Sequence, residues 1–262
     1  STPIKSSAAS DVYKRQNVKT VDVNMDQEEV AKKFMKYGFY MMPVVDSEYR
    51  MLGVIEIDDV MDVMEEETTE DINLMAGMSG EERVDSTVLE SAKSRIPWLI
   101  VNLFTAVMAA AVVANFESTI AKVVSLSSVM SIVTGMGGNA GTQSLTILCR
   151  GLSLGEVDKD NAFQIFCKEI TVGLLSGIVI GIIVAIGAWW FASNPWFGLV
   201  AGLAMILNML AANIAGYLVP VILKRLNIDP ALASGVFVTT VTDCMGFFFF
   251  LGLATLFLPL LI

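Results

Sequence analysis

The last thirty residues of the chain decide its class of fold. Residues 233–262 read ASGVFVTTVTDCMGFFFFLGLATLFLPLLI, a nearly continuous apolar run. A helix that crosses a bilayer needs about 20 such residues, so this run predicts a membrane-spanning helix. One carboxylate, Asp243, stands near its middle. Because a charge at that depth costs roughly 3 kcal/mol, Asp243 is first of all a candidate functional group. The alternative is a protonated aspartate that is hydrogen-bonded to a neighbouring helix.

Long apolar runs also fill the chain upstream of this stretch, from Pro97 onward. Polar segments divide them into five predicted spans, at residues 97–116, 120–148, 170–191, 196–223 and 231–258. Most charged residues precede Pro97, and the hydrophobic share of the whole chain, 54%, exceeds that of a soluble protein. We therefore predict an all-α polytopic membrane domain of five transmembrane helices over residues 97–262, behind a soluble segment.

Lysine and arginine residues that flank the spans predict the orientation of the membrane domain. One side holds seven of them, and the other side holds Lys122. The seven are Lys93, Arg95, Arg150, Lys159, Lys168, Lys224 and Arg225. Because cytoplasmic flanks carry the excess of positive charge, we expect a multi-pass protein of the cell (inner) membrane. Its N-terminus would be cytoplasmic and its C-terminus outside.

The composition argues against several classes of function. The chain has no histidine, and its three cysteines lie far apart, which disfavours a catalytic triad, a thiolate zinc site and an enzymatic role. The net charge of −10 argues against nucleic acid as a partner. A bound metal would meet oxygen ligands, which favours hard cations such as magnesium, calcium or manganese.

The segment before the membrane domain has the pattern of a small α/β module. Residues 17–66 predict the order strand, helix, strand, strand and helix, with the first helix capped by Asp26 and stopped by Gly38. Residues 67–96 are polar and mostly helix-forming, with a break near GMSG at residues 77–80, so they predict a connecting helix region. Residues 1–16 lack periodicity, and we expect a disordered or non-native leader there.

The second predicted span contains a glycine-rich polar stretch, TGMGGNAGTQS, at residues 134–144. If the glycines interrupt the helix, freed carbonyls and amides would line a wet cavity. If the helix is continuous, the glycines would be contact points between helices. The sequence leaves both alternatives open. The candidate pore-lining residues of this stretch are Gly138, Asn139 and Gln143. In the fourth span, we expect Asn208 and Asn213 to make hydrogen bonds between helices.

A series of acidic residues follows the last strand of the module. Its members are Asp59, Asp62, Glu67, Glu70 and Asp71. Like charges at helical spacing repel one another, and a divalent cation between them would reverse the effect. The same pattern is also typical of a solvated helix at a membrane surface.

Three motifs together resemble a known family. GGNAGTQS and DPALASGVFVTTVTD stand in the order found in the MgtE-type magnesium channel/transporter family. MPVVDSEYRMLGVIEIDDVMDVM resembles the second half of a CBS motif, so residues 17–66 look like a partial CBS-type module. The resemblance covers roughly residues 17–262.

The resemblance implies a homodimer in the lipid bilayer, with a pore on the two-fold axis. Asp243 of both chains would bind one largely hydrated Mg²⁺, assisted by the main-chain carbonyl of Thr239. Gly235 and Thr240 are further pore-lining candidates. The resemblance also implies regulatory Mg²⁺ at the acidic series and at Asp229, which would close the pore when the cytosol is replete.

The sequence departs from the family pattern in two respects. The family's acidic N-terminal domain and first CBS motif have no counterpart in these residues. At the positions of Gly235 and Val236, the family often has proline and sometimes asparagine. One alternative is therefore a chain that folds without gating. Another is a carrier for Mg²⁺, Co²⁺ or Mn²⁺ that is coupled to protons or sodium, with Asp243 as the relay.

Overall fold

The computed structural model describes residues 18–78, 82–158, 160–232 and 234–262. The chain divides into two compact units, Ser1–Thr69 and Glu70–Ile262, which we call the N-terminal unit and the helical unit. The division falls three residues beyond the predicted end of the α/β module at residue 66. The predicted leader, residues 1–16, lies outside the described residues.

The N-terminal unit is a small sheet with helices. Its elements are β1 (Val21–Asp22), α1 (Gln27–Tyr37), β2 (Met41–Val45), β3 (Met51–Glu56) and the first part of α2 (Ile57–Met75). The strand order is β1-β2-β3, with β1 parallel to β2 and β2 antiparallel to β3. This is the order of elements that the sequence pattern predicts. The boundary predicted at residue 67 differs from the structure, because α2 runs through that residue. Helix α2 ends at Met75, two residues before GMSG, where the sequence predicts a break.

Helix α1 forms where its sequence signals place it. The Asp26 side chain accepts a hydrogen bond from the main-chain N–H of Glu28, and Gly38 ends the helix with a φ of 63°. The apolar face of α1 buries Phe34, which is 1% exposed, against β1 and β2 residues such as Met42. The core of the unit therefore depends on one aromatic side chain.

Replacing Phe34 with alanine should unfold the N-terminal unit. The change leaves a cavity that costs about 3–5 kcal/mol, a large share of the stability of so small a core. Hydrogen exchange at the β2 and β3 amides measures the effect. The neighbouring Met35→Ala variant is the control, since Met35 is 48% exposed. Unchanged exchange in Phe34→Ala would contradict the assigned core.

The helical unit contains five helices of 23 residues or more within the described part of the chain. They are α3 (Val88–Ala114), α5 (Leu126–Ser153), α6 (Ala162–Ala192), α7 (Pro195–Arg225) and α8 (Ser234–Leu256). The short helices α4 (Glu117–Lys122) and α9 (Leu258–Leu261) complete it. Four of the five, α3, α6, α7 and α8, are long and apolar enough to cross a membrane. The chain is thus a multi-pass membrane protein, and composition does not confirm α5 as a fifth span.

Helix α7 is the centre of the helical unit and packs against α5, α6 and α8. Small residues bring its backbone close to its neighbours. A Cβ on Gly181 would lie 2.9 Å from the carbonyl oxygen of Gly202, and a Cβ on Gly202 would lie 2.9 Å from that of Gly181. The backbones of α6 and α7 therefore touch at this pair. Helix α3 packs against α8.

The start of α3 is fixed by polar contacts. Thr87 and Glu90 form a capping box, in which each side chain accepts a hydrogen bond from the main chain of the other residue. Later in the helix, Arg95 Nε donates a hydrogen bond of 2.8 Å to Oε1 of Glu82, a residue that precedes α3. This bond holds the pKa of Glu82 below its ordinary value. The stability that the hydrogen bond between Arg95 and Glu82 contributes is therefore lost as the pH falls through the lowered pKa of Glu82.

Candidate functional site

Asp243 lies in the middle of α8 and is half-buried. Within the residues that the structure describes, its carboxylate makes no hydrogen bond and no ion pair. The alternative of a protonated aspartate bonded to a neighbouring helix therefore has no partner in the described chain. A carboxylate in an apolar helix without such a partner needs water, a cation or another chain.

The threonines beside Asp243 direct their hydroxyls back to their own helix. Thr239 Oγ1 donates to the carbonyls of Gly235 and Val236 at 2.9 and 3.0 Å, and Thr240 Oγ1 donates to Val236 at 2.6 Å. Thr242 Oγ1 donates to the carbonyl of Thr239 at 2.9 Å. Because that carbonyl also accepts the helical hydrogen bond, both its lone pairs are used. A cation ligand at Thr239 would first require Thr242 to rotate.

The glycine-rich stretch forms part of an uninterrupted helix, α5. Gly137 and Gly141 are contact points between helices, so the helix-contact alternative is correct and the alternative of broken backbone is wrong. A Cβ on Gly141 would lie 2.6 Å from Val238 Cγ1 of α8, and one on Gly138 would lie 3.9 Å from Thr242 Oγ1. These contacts place the middle of α5 beside Asp243, the residue after Thr242.

A polar stripe of α5 is exposed at the same level. Its members lie within about 100° of the helix circumference. They are Gly135, Asn139, Thr142, Gln143 and Thr146, all exposed in the single chain. The predicted pore-lining residues Asn139 and Gln143 thus share one face, and Gly138 lies between that face and α8. An exposed amide is stable against water or another protein chain, and it is costly against lipid.

The predicted regulatory carboxylates are dispersed in the structure. In the N-terminal unit, Glu67 accepts a hydrogen bond of 2.7 Å from Gln27 Nε2, Asp59 accepts one of 3.2 Å from the N–H of Glu56, and Asp62 is exposed. In the helical unit, Asp71 accepts from Ser153 Oγ at 3.2 Å, Asp229 accepts from the N–H of Ala231 at 2.8 Å, and Glu70 is exposed. Among the described residues, neither unit brings three acidic or cysteine side chains into a group that could hold a metal ion.

The end of α2 lies against the start of α8 within the helical unit. A Cβ on Gly235 would lie 2.4 Å from the carbonyl oxygen of Met75. Gly77 has a φ of 73°, and its Cβ would lie 3.3 Å from Val236 Cγ2. The Met75 side chain packs against the cluster of Leu145, Cys149 and Val238. Gly235 is therefore the residue that admits the end of α2.

Glu169 is a buried carboxylate that the sequence reasoning missed. It is 5% exposed, and Ser144 Oγ of α5 donates a hydrogen bond of 2.7 Å to its Oε2 atom. Lys168 Nζ lies 3.7 Å from its Oε1 atom. The prediction began the third span at residue 170, whereas α6 begins at Ala162. The available signal was an acidic residue immediately before a long apolar run.

The two asparagines of α7 have different roles. Asn208 Nδ2 donates a hydrogen bond of 2.8 Å to the carbonyl of Val133 in α5, as predicted. Asn213 Nδ2 bonds within its own helix, to Met209 at 2.9 Å, so the interhelical hydrogen bond predicted for it is wrong. Asn213 instead packs against Gly173 of α6.

Comparisons with known proteins agree with this architecture. Residues 130–253 match the family model of MgtE, described as a divalent cation transporter, and residues 9–66 match the CBS domain. The chain is 36% identical over 245 residues to the magnesium transporter MgtE of Enterococcus faecalis, 33% over 239 residues to that of Bacillus subtilis, and 35% over 240 residues to that of Thermus thermophilus. These alignments cover 93%, 91% and 91% of this chain. The chain spans about half the length of these relatives, 53% in each case. The resemblance inferred from the motifs is confirmed.

Proposed function

From the premise that the chain carries the divalent cation transporter domain of the MgtE family together with a CBS domain, we propose that it moves Mg²⁺ across the membrane into the cytosol. The ion passes through a pore between two copies of the chain. Asp243 of each copy faces the pore, and cytosolic Mg²⁺ closes it.

The observation that carries this proposal is the state of Asp243. Its carboxylate is half-buried in an apolar helix and has no partner among the described residues. Two such carboxylates that face one hydrated dication are neutralised by it. Mg²⁺ gives up its water reluctantly, so the contact is made through its bound water. Thr239 contributes little directly, because its carbonyl already accepts the Thr242 hydroxyl.

The polar stripe of α5 supports the pore. Helix α5 has 28 residues, about 42 Å of helix, which exceeds the roughly 30 Å of a hydrocarbon core. We propose that α5 is the fifth crossing, with Asn139 and Gln143 on the pore wall. Pore-facing amides lower the mean hydropathy of α5, which explains why only the other four long helices of the described chain are apolar enough to be identified as spans by composition.

The positive flanks support the orientation. Seven lysine and arginine residues lie on one side of the proposed spans, and Lys122 lies on the other. We propose a cytoplasmic N-terminus and an external C-terminus. Asp229, between α7 and α8, is then at the cytoplasmic mouth, with the end of α2 beside it.

The proposed gate is the contact between the end of α2 and Gly235. Bound Mg²⁺ would screen the repulsion among the acidic residues of the helical unit, Glu70, Asp71 and Asp229. It would thereby keep α2 docked. Without Mg²⁺ the repulsion would favour release of α2 and an open pore. The close approach of Met75 to Gly235 supports this assignment.

Replacing Gly235 with alanine should keep the pore open at high cytosolic Mg²⁺. The new methyl group would lie 2.4 Å from the carbonyl oxygen of Met75, so the end of α2 cannot dock as it does. The measurement is Mg²⁺ uptake into proteoliposomes, with the cytoplasmic face bathed in high or low Mg²⁺. We expect high Mg²⁺ to inhibit the wild type strongly and the variant by less than about twofold.

The control for this test is Gly252→Ala on the same helix, since a Cβ at Gly252 would have nothing within 4 Å. It should be inhibited as the wild type is. If Gly235→Ala is inhibited as strongly as Gly252→Ala, the docked end of α2 is not the gate.

A flux assay separates the proposed channel from a coupled carrier. Wild-type chain in liposomes should pass Mg²⁺ down its gradient at a rate that neither a pH gradient nor a sodium gradient changes. A rate that follows either gradient at fixed Mg²⁺ would replace the channel with a carrier that uses Asp243 as relay. An absence of Mg²⁺ flux under all conditions would refute the proposed function.

A further inference from the structure

Asn208 is a fully buried amide in the centre of the helical unit. It lies on α7 and is 0% exposed. Its Nδ2 atom donates a hydrogen bond of 2.8 Å to the carbonyl of Val133 in α5. Its Oδ1 atom is buried and has no hydrogen-bond partner among the described residues. A buried amide with one unpaired atom destabilises a core, because its carbonyl oxygen loses its hydrogen bond to water. A leucine of similar volume would have no such cost.

The space around Asn208 is made by glycines on two other helices. A Cβ on Gly137 of α5 would lie 2.2 Å from Asn208 Nδ2, and a Cβ on Gly246 of α8 would lie 2.8 Å from the same atom. The Cβ on Gly246 would also lie 2.9 Å from Thr134 Cγ2. The amide is thus wedged between α5 and α8, and neither glycine can gain a side chain while it is there.

The wedge lies close to the proposed ion site along α8. Gly246 follows Asp243 by three residues, less than one turn of α8. Gly137 precedes Gly138, whose Cβ position is 3.9 Å from Thr242 Oγ1. The amide therefore touches both helices that carry the predicted pore residues, at the level where those residues lie.

We propose that Asn208 is a positioning residue of the pore, a role that rests on the proposed transport function. Its amide fixes the separation and rotation of α5 and α8, and so sets the direction in which Asp243 and the polar stripe face. Its hydrogen bond to Val133 fixes the amide, and the acceptor left over takes a buried water molecule. Asn208 does not touch the ion.

A first test measures geometry without transport. In a chain whose three cysteines are replaced by serine, Gly138→Cys and Thr242→Cys together should form a disulfide readily, because the two positions face each other at contact distance. Adding Asn208→Leu should slow that cross-link by about tenfold, since a rotation that moves the sulfurs by an ångström lowers reaction rates strongly. An unchanged cross-linking rate would overturn the proposal, whether or not the chain transports Mg²⁺.

A second test measures ion recognition with the native cysteines. Asn208→Leu and Gly137→Ala, two different ways to displace the amide, should both raise the KM for Mg²⁺ about tenfold and leave the folded yield unchanged. Gly252→Ala is the control on α8, since a Cβ there has nothing within 4 Å. If Asn208→Leu keeps the wild-type KM while wild type and Gly252→Ala transport normally, the proposal is wrong. If Asn208→Leu fails to fold, the Gly137→Ala variant decides, because an unchanged KM in it overturns the proposal.

Discussion

Replacing Asp243 with asparagine should reduce Mg²⁺ uptake at least about 100-fold. Asparagine keeps the shape of the side chain and removes the charge from both copies in the proposed dimer. A hydrated dication would then enter an apolar passage without countercharge. Loss of roughly 3 kcal/mol of electrostatic stabilisation at the site corresponds to a factor of about 100. The measurement is the initial rate of Mg²⁺ entry into liposomes that contain equal amounts of folded wild-type or variant chain.

Asp160→Asn is the matched control for this variant. Asp160 is exposed, between α5 and α6, and the substitution changes the net charge by the same amount. It should transport as the wild type does. Uptake by Asp243→Asn above about a tenth of the control rate would remove Asp243 from the ion path, since a lost charge there must cost more than a factor of ten.

Replacing Gly216 with alanine should prevent the helical unit from folding. A Cβ there would lie 2.7 Å from the carbonyl oxygen of Gly141 and 2.8 Å from Ser144 Cβ. It would also lie 3.1 Å from the main-chain nitrogen of Leu145. Two of these three atoms belong to the α5 backbone, which cannot yield without moving the whole helix. Overpacking costs about 1–3 kcal/mol or more, and here it also disturbs the buried bond between Ser144 and Glu169.

The measurement is the fraction of detergent-solubilised chain that elutes as one species, together with its unfolding temperature. Gly187→Ala is the control in another helix of the same unit, since a Cβ at Gly187 would have nothing within 4 Å. It should fold as the wild type does. A Gly216→Ala chain with wild-type yield and unfolding temperature would show that α5 and α7 are farther apart than their contacts indicate.

Local signals in the sequence predict much of the fold because they act over a few residues. Asp26 and Gly38 bound α1 through their own main-chain geometry, and apolar length alone indicates α6, α7 and α8. The predicted ends of the helices are less accurate than their positions. Helix α6 begins eight residues before the predicted third span, because a helix can extend beyond its apolar run on the N-terminal side.

The sequence predicts candidate residues of the site where a polar side chain interrupts an apolar run, as Asp243, Asn139 and Asn208 do. Asp243 stands out because a charge at membrane depth has a known cost. Glu169 and the wedge at Asn208 depend on which helices are neighbours, and Ser144 and Glu169 are 25 residues apart in the chain. The hydrogen bond from Thr242 to Thr239 likewise depends on a side-chain rotamer that composition does not determine.

The touching backbones at Gly181 and Gly202 restrict how this chain can diverge. Each position excludes even a methyl group because the carbonyl of the other occupies its space. We expect exposed neighbours such as Ile183 to vary freely among descendants of this sequence, since their side chains are exposed in the single chain. The two glycines, by contrast, can change only if the axes of α6 and α7 move apart. A single substitution at either glycine would therefore destabilise the helix pair before a second substitution could compensate for it.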